Sequence, residues 1–406
     1  LLSASIDLAR AGVRVTLLER AAAPGGKMHA REIDGLSIDG GPTVLTMRSV
    51  FEQLFEDAGT SLSDRLTLLD SPIIARHAWS DGGLLDLFPD RERSRQSIEQ
   101  FAGSDNAAGF DRFYSQSEKI HRALSSTFMK ATKPNPLTLV ARVLRQHPLS
   151  SLLAARPSPD LWRALGGFFS DERLQQLFGR YATYVGSSPL STPATLMLIA
   201  HVELDGVWLV DGGMHQLAAT MAELGQQLGV DLHLNTHVSE VLVENGKVAG
   251  VRLKDGTAVS ADAVVFNGDT QAIATGQLGE SASSAVRLRP NHQRALSALT
   301  WCIKGQASGF DLDHHNVFFE SHYPREFNTI FEERSVPSKP TVYVCAQDRG
   351  PTGKRNETER LLMLVNAPAN GDTQTWSTHE VSHIRDNALA VLNRCGLNLS
   401  FRDDDC

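Results

Sequence analysis

LLSASIDLARAGVRVTLLER, residues 1–20, is the stretch that decides the fold. Leu2, Ile6 and Leu8 or Ala9 recur on one face of a helix, and Gly12 supplies the residue at which helices commonly stop. Residues 13–18 are a short β-branched run with Glu19 at its end. Helix, tight turn, buried strand and acidic residue together make the second half of a βαβ unit. A dinucleotide-binding unit of that kind has a glycine-rich turn before its helix, for a pyrophosphate, and a carboxylate about 20 residues on, for ribose hydroxyls. Glu19 stands where that carboxylate belongs, although a solvated residue at a strand end would look the same. Leu1 is not Met and the helix is entered midway, so the glycine turn is expected upstream of Leu1.

Moving outward, two loops suit close approach to a phosphate-rich ligand. Pro24-Gly25-Gly26-Lys27 sets two glycines beside a cation. Alone it is equally a surface turn with an exposed lysine, but Asp39-Gly40-Gly41-Pro42-Thr43 follows about 15 residues later, and three such features within the first 43 residues favour nucleotide binding. Between the loops, residues 28–33 and 36–39 flank an Asp34-Gly35 hairpin turn. Further on, 214–228 has helical spacing, and 230–234 is a short strand. Hairpins turn at Asn245-Gly246 and Asp255-Gly256, and 263–266 is a last apolar strand. Residues 95–200 are helical in pattern and broken by Pro134, Pro136, Pro148, Pro157 and Pro159. Runs at 297–303, 316–320, 341–346 and 361–366 predict a second, mainly antiparallel sheet. The expected class is α/β, with a discontinuous Rossmann-like nucleotide-binding domain and a substrate domain that carries a helical insertion. The expected boundaries are 1–70 and 206–275 for the first domain, and 71–205 and 276–406 for the second.

Composition narrows the classes. With 406 residues, 41% of them hydrophobic, the chain is long enough for two domains. A net charge of −8 gives no general attraction to nucleic acid, and no nucleic-acid partner is expected. Cys302, Cys345, Cys395 and Cys406 form no CxxC pair, which suits a reducing, cytoplasmic compartment. No apolar run reaches the roughly 18–20 residues of a spanning helix. His314, His315 and His322 have no helical ligand spacing and no cysteine beside them in sequence, so no metal site is expected.

Residues 17–55, LLERAAAPGGKMHAREIDGLSIDGGPTVLTMRSVFEQLF, resemble the N-terminal part of the phytoene-desaturase-type carotenoid desaturases of the FAD-dependent amine-oxidase superfamily. A second block, 206–269, resembles that family's return to the FAD domain through VWLVDGGMHQLA, LNTHVSEVLVENGKVAGVRLKDG and ADAVVFNGD. FGRYATYVGSSPLSTPATLMLIAHVE and HHNVFFESHYPREFNTIFEERS resemble the subgroup of 1-hydroxycarotenoid 3,4-desaturases, and the likeness covers nearly the whole chain. The resemblance implies FAD as cofactor, with Glu19 on the adenosine ribose and Arg20 and Lys27 near the ribose or pyrophosphate. Gly25 and Gly26 belong to the same loop. It also implies Gly41, Pro42 and Thr43 near the flavin ring, Val238 on adenine through its backbone, and Asn267 at the end of a strand directed at the cofactor. On the residues alone, Val238 reads as a plain core valine. The family's glycine-rich and proline-rich C-terminal segment would follow residue 406.

The implied reaction is oxidation of a carotenoid by hydride transfer to flavin, introducing a C3,4 double bond into a 1-hydroxycarotenoid. Other members of the group, a phytoene desaturase or a carotenoid isomerase or saturase, share every cofactor feature, and a non-catalytic fragment is the remaining alternative. Asp211 and His215, flanking Gly212-Gly213, are the catalytic candidates. A helix cap and a first-turn residue are the competing readings for them. Between Glu118 and Asp160 there is no acidic residue, while Lys119, Arg122, Lys130, Lys133, Arg142, Arg145 and Arg156 occur among Phe128, Leu139, Val140, Val143 and Leu144. Residues 119–156 are therefore expected to lie on an anionic membrane surface.

Overall fold

The computed structural model describes residues 1–125, 160–290, 294–320, 322–351, 357–402, 404 and 406. Most of the basic stretch 119–156 thus lies outside the described residues, of which Lys119 and Arg122 are included. The chain forms two units: Leu1–Arg31, Asp39–Leu69 and Leu209–Arg294 in one, and Glu32–Ile38, Asp70–Trp208 and Ala295–Cys406 in the other.

In the first unit, helix Leu2–Arg10 gives way at Gly12, which takes a φ of 81°, to strand Thr16–Leu18. That strand pairs in parallel with Asp231–His233, Thr16 opposite Asp231. The helix between them in the fold, His215–Gln227, packs on Leu2–Arg10, and at Gly225 an added Cβ would lie 3.8 Å from Ile6 Cγ1. A three-stranded antiparallel sheet follows, made of Val238–Glu244, Lys247–Leu253 and Ala258–Ser260. Asn245 and Gly246 take φ of 52° and 75°, the pair of positive angles that a tight hairpin turn requires. Val241, Val251 and Ala282 form the core here, with Leu18 and Val238 against it. The expected strand at 263–266 is not formed. A strand exists through its ladder, none of the described strands pairs with this run, and Val265 and Phe266 stay 57% and 37% exposed.

The second unit is built on a seven-stranded sheet. Its order is Asn398–Ser400, Ser297–Ser308, Glu359–Ala367, Val342–Ala346, His315–Phe319, Ala75–Trp79, Leu84–Leu87. Every neighbouring pair is antiparallel except His315–Phe319 with Ala75–Trp79, which run parallel with Val317 opposite His77. Alternation divides the side chains between two faces. Ala78, Phe318, Val344, Leu361 and Met363 pack on Ala388, Val391 and Leu392 of helix Thr378–Arg394. Ser377 and Glu380 start that helix with a reciprocal capping box. His77, Trp79, His315, Val317 and Phe319 lie on the other face, as period two demands.

Residues 95–200 are helical where described: Arg91–Ala102, Ser104–Leu124, Leu161–Gly166 and Glu172–Gly179, with 3-10 turns at Arg180–Val185 and Ala194–Met197 and then helix Leu198–Leu204. Asp90, Asp160 and Asp171 cap three of them by accepting from the amides of Arg93, Arg163 and Arg173. Buried Phe110, Phe113, Phe169 and Phe178 stack into the centre of this layer. Two bonds fasten it to the sheet: Trp79 Nε1 donates to Gln176 Oε1 at 2.8 Å, and Gln176 Nε2 donates to Glu320 O at 2.7 Å.

Glu32–Ile38 groups with the second unit because Ile33 and Ile38 pack on Cys302, Cys345 and Leu362. The segment 276–294 groups with the first, where Ala282 joins its core. No helix among the described residues is long and apolar enough to cross a membrane.

Candidate functional site

The first unit gathers the nucleotide-site candidates at the C-terminal ends of its parallel strands. Glu19 follows Leu18; its amide donates to His233 O at 2.9 Å and its carbonyl accepts from Thr236 N at 2.8 Å. Its Oε1 accepts from Ala21 N at 2.8 Å, and Oε2 makes no hydrogen bond among the described residues. Arg20 and Lys27 are exposed nearby in sequence.

The two glycine-rich loops lie against one another. Gly40 N donates to His29 O at 2.9 Å, and a Cβ on Gly41 would stand 1.7 Å from Lys27 O. At Gly25 a Cβ would stand 2.3 Å from Met28 O and 3.0 Å from Ala218 Cβ. Gly26, at φ 61°, meets nothing within 4 Å and so presents bare backbone to open space. Pro42 is exposed and Thr43 buried. Val238 begins its strand in the cluster that contains Leu18, one residue before Glu19. Asn267 is exposed in the unpaired segment and ends no strand.

Asp39 is the residue that reading the sequence missed. Buried to 5% exposure, it accepts from Met214 N at 2.6 Å, His215 N at 3.1 Å and His215 Nδ1 at 2.7 Å. It thereby satisfies the first amides of helix His215–Gln227, which find no acceptor within the helix, and meets the positive end of that helix with a negative charge. Gly213 makes this possible: at φ 103°, a Cβ there would be 2.4 Å from Asp39 Oδ2. His215 is thus held in a helix first turn with Nδ1 on a carboxylate. Asp211 does not cap the helix; it is exposed, and its amide donates to Thr67 O at 3.0 Å. The available signal was the pairing of Asp39-Gly40-Gly41 with Gly212-Gly213, two tight segments in one chain.

In the second unit, the face opposite helix Thr378–Arg394 is aromatic. His77 and Trp79 stack with Phe319 at centroid distances of 6.2 and 5.2 Å, and Tyr323 meets Phe319 edge-on at 5.9 Å. A cleft of about 400 Å³ opens beside them, lined by Trp79, Trp162, Arg173, Gln176, His322 and Tyr323. The fold also brings a cysteine to the histidine pair. One ligand atom each of His314, His315 and Cys345 lie within 4.8 Å of one another, because Cys345 sits opposite His315 in the ladder. The expectation of no metal site rested partly on sequence distance from any cysteine, and that premise is corrected. His314 Nδ1 meets Arg349 O at 2.8 Å and its Nε2 lies 3.4 Å from Cys345 Sγ, an arrangement that forms a cysteine–histidine hydrogen bond.

A parallel strand pair ending in a carboxylate beside interlocked glycine loops is the arrangement of a dinucleotide-binding domain, and the second unit is a separate sheet with an aromatic face. The chain belongs to the flavin-containing amine oxidoreductase family, matching it over residues 2–394. It is 43% identical over 402 residues to a hydroxyneurosporene desaturase of Rubrivivax gelatinosus, covering 98% of this chain and 76% of that protein. A hydroxyneurosporene desaturase of Cereibacter sphaeroides is 42% identical, with 90% and 74% covered. A phytoene desaturase of Neurospora crassa is 30% identical, with 97% and 68% covered. Among solved structures, an oxidoreductase from Methanosarcina mazei shares the fold at a TM-score of 0.56 and 16% identity, covering 99% of this chain and 85% of that one. Family membership makes the protein a flavin-dependent oxidoreductase with FAD as its cofactor.

Proposed function

We propose that the protein desaturates a 1-hydroxylated carotenoid, introducing a C3,4 double bond. The observation that carries this reading is the 43% identity, over 98% of the chain, to a hydroxyneurosporene desaturase. The first unit acts as the FAD-binding domain and the second as the substrate domain. The residues of this chain fit FAD at its adenosine end. Glu19 Oε2 is available to a ribose hydroxyl, and the bare backbone at Gly26 admits a close ligand with Lys27 beside it. Arg20 lies next to Glu19; Gly25, Gly41, Pro42 and Thr43 form the loop pair that faces the cofactor, and Val238 and Asn267 border the adenine side. Replacing Glu19 by Ala weakens FAD binding about 10- to 100-fold, the worth of one charge-assisted hydrogen bond. Isothermal titration of the apoprotein measures it, and an unchanged affinity excludes the ribose role.

Bound FAD supplies the two-electron acceptor that a hydrocarbon oxidation needs and that no side chain provides. The protein's own residues hold the chain: Trp79, Trp162 and Tyr323 line the cleft of the second unit, and ring faces favour positive charge developing on a polyene. Of the catalytic candidates, His215 acts here by position, bonding Asp39 and with it the loops that carry the cofactor. Asp211 remains a candidate only through its exposure on the same turn.

The basic stretch 119–156 supports attachment to an anionic membrane surface, where a C40 hydrocarbon resides. One experiment addresses both parts. The complete protein with FAD is mixed with anionic liposomes carrying either 1-hydroxyneurosporene or phytoene, sedimented, and followed by polyene absorption. The expected result is faster red-shifting with the hydroxylated substrate and co-sedimentation that weakens with salt and with R142E/R145E. Equal action on both substrates, or action on phytoene alone, sinks the substrate reading, and sedimentation indifferent to salt and charge sinks the membrane reading.

A further inference from the structure

Several described side chains of the second unit carry buried polar atoms with no hydrogen-bond partner, among them His77 Nε2, His315 Nε2, Tyr323 Oη and two nitrogens of Arg180, Nε and Nη2. Their residues are otherwise sealed, with His77, His315 and Tyr323 at 0%, 1% and 3% exposure. Each such group has lost its hydration without a replacing bond, and folded proteins keep few of them. Several in one region of one unit call for a ligand that completes them.

The topology explains why they share a region. His77 and His315 stand on the same face of the sheet, on the two strands that pair in parallel. Gln176, bonded to Trp79 two residues from His77, fixes helix Glu172–Gly179 over that face, and Arg180 follows Gln176 by four residues, about one turn on. Tyr323 meets Phe319 edge-on, and Phe319 stacks on His77. Burial drives both imidazoles well below their ordinary range, and the nearby Arg180 charge pushes the same way, so both are neutral. Burial likewise raises the Tyr323 phenol, with Arg180 opposing.

We propose that His77, Arg180 and Tyr323 form a subsite for the hydroxyl end of an otherwise hydrocarbon substrate, the hydroxyl donating to His77 Nε2 and accepting from Arg180 and Tyr323. The inference rests on the carotenoid reading above and names the group that this enzyme distinguishes. The chemistry selects a hydroxyl. Arg180 offers only donors, while His77, whose Nδ1 donates to Leu85 O at 3.2 Å, offers a lone pair at Nε2. A ligand group must therefore accept from one and donate to the other. A hydroxyl does both; an ether or carbonyl leaves His77 unpaired, and a methyl leaves all three. Glu203, hydrogen-bonded to Tyr181 and Tyr184, lies 3.6 Å from Arg180 Nη2 and keeps the guanidinium compensated. The cleft lined by Trp79, Trp162 and Tyr323 reaches one member of the set.

The test compares kcat/KM of the complete FAD-loaded protein for a 1-hydroxylated carotenoid and for the same hydrocarbon without the hydroxyl. Tyr323→Phe removes only an unpartnered oxygen, so its melting temperature holds or rises, while selectivity for the hydroxylated substrate falls about 3- to 10-fold. Arg180→Met lowers it about 10- to 100-fold. Affinities of the two carotenoids for the apoprotein, read from the shift of the polyene band, change in the same ratio. A wild-type preference that survives both substitutions, or losses equal on the two substrates, overturns the subsite and leaves the proposed activity standing. A wild-type protein that binds and turns over the two carotenoids alike overturns both.

Discussion

Asp39→Ala lowers the stability of the FAD-binding unit by about 2–5 kcal/mol, the cost of leaving the first amides of a helix without their acceptor. The carboxylate is nearly sealed and accepts hydrogen bonds from two backbone amides at the start of helix His215–Gln227 and from the His215 ring. Alanine leaves the amide of Met214, itself buried, without an acceptor. Asp39→Asn keeps one acceptor oxygen and loses the charge, so its stability falls between those of the wild type and Asp39→Ala. Hydrogen exchange resolved over residues 211–227 and urea unfolding measure the effect. Exchange rates unchanged in that helix contradict the assignment.

Gly41→Ala is the second large effect. The new methyl would overlap Lys27 O, a backbone atom that no rotamer change can remove, so the loops at 24–27 and 39–43 must part. The expected loss is about 3 kcal/mol, the upper end of overpacking costs, together with loss of bound flavin. Gly26→Ala is the internal comparison: it has open space around its Cβ and a φ of 61°, and costs only about 1–2 kcal/mol for the left-handed backbone. Flavin absorbance per protein and thermal melts of the two variants separate them. Equal behaviour rules out the close approach as the reason for glycine at 41.

What the sequence made legible was local chemistry. Asp34-Gly35 and Asn245-Gly246 announce their turns because few other residues accept two positive φ angles in succession, and all four residues take them. Helix Leu2–Arg10 with strand Thr16–Leu18 was readable for the same reason: its stop signal and its strand are contiguous. Features that depend on distant pairing were not. Asp39 meets Met214 and His215 only through folding, so a capping role was sought at Asp211, beside the helix in sequence. Residues 263–266 have the composition of a strand, but composition cannot supply the neighbour a ladder requires. Cys345 reaches His315 across a strand pair, and His77 reaches the region of Arg180 through a parallel pairing that no short-range pattern announces.

The parallel pairing of Ala75–Trp79 with His315–Phe319 also bears on how the chain emerges from the ribosome. Arg76 is made early and waits for Asn316, and the strand Thr16–Leu18 waits likewise for Asp231–His233. Neither sheet closes until most of the polypeptide has been synthesised, and the second half of the first unit is made inside the interval of the second. Such high contact order slows folding and leaves the strand Ala75–Trp79, paired on one side with Leu84–Leu87, open on its other edge while the ribosome adds roughly 240 residues, tens of seconds at about 5–20 residues per second. For that interval the unpaired edge is a place where a nascent-chain chaperone can act.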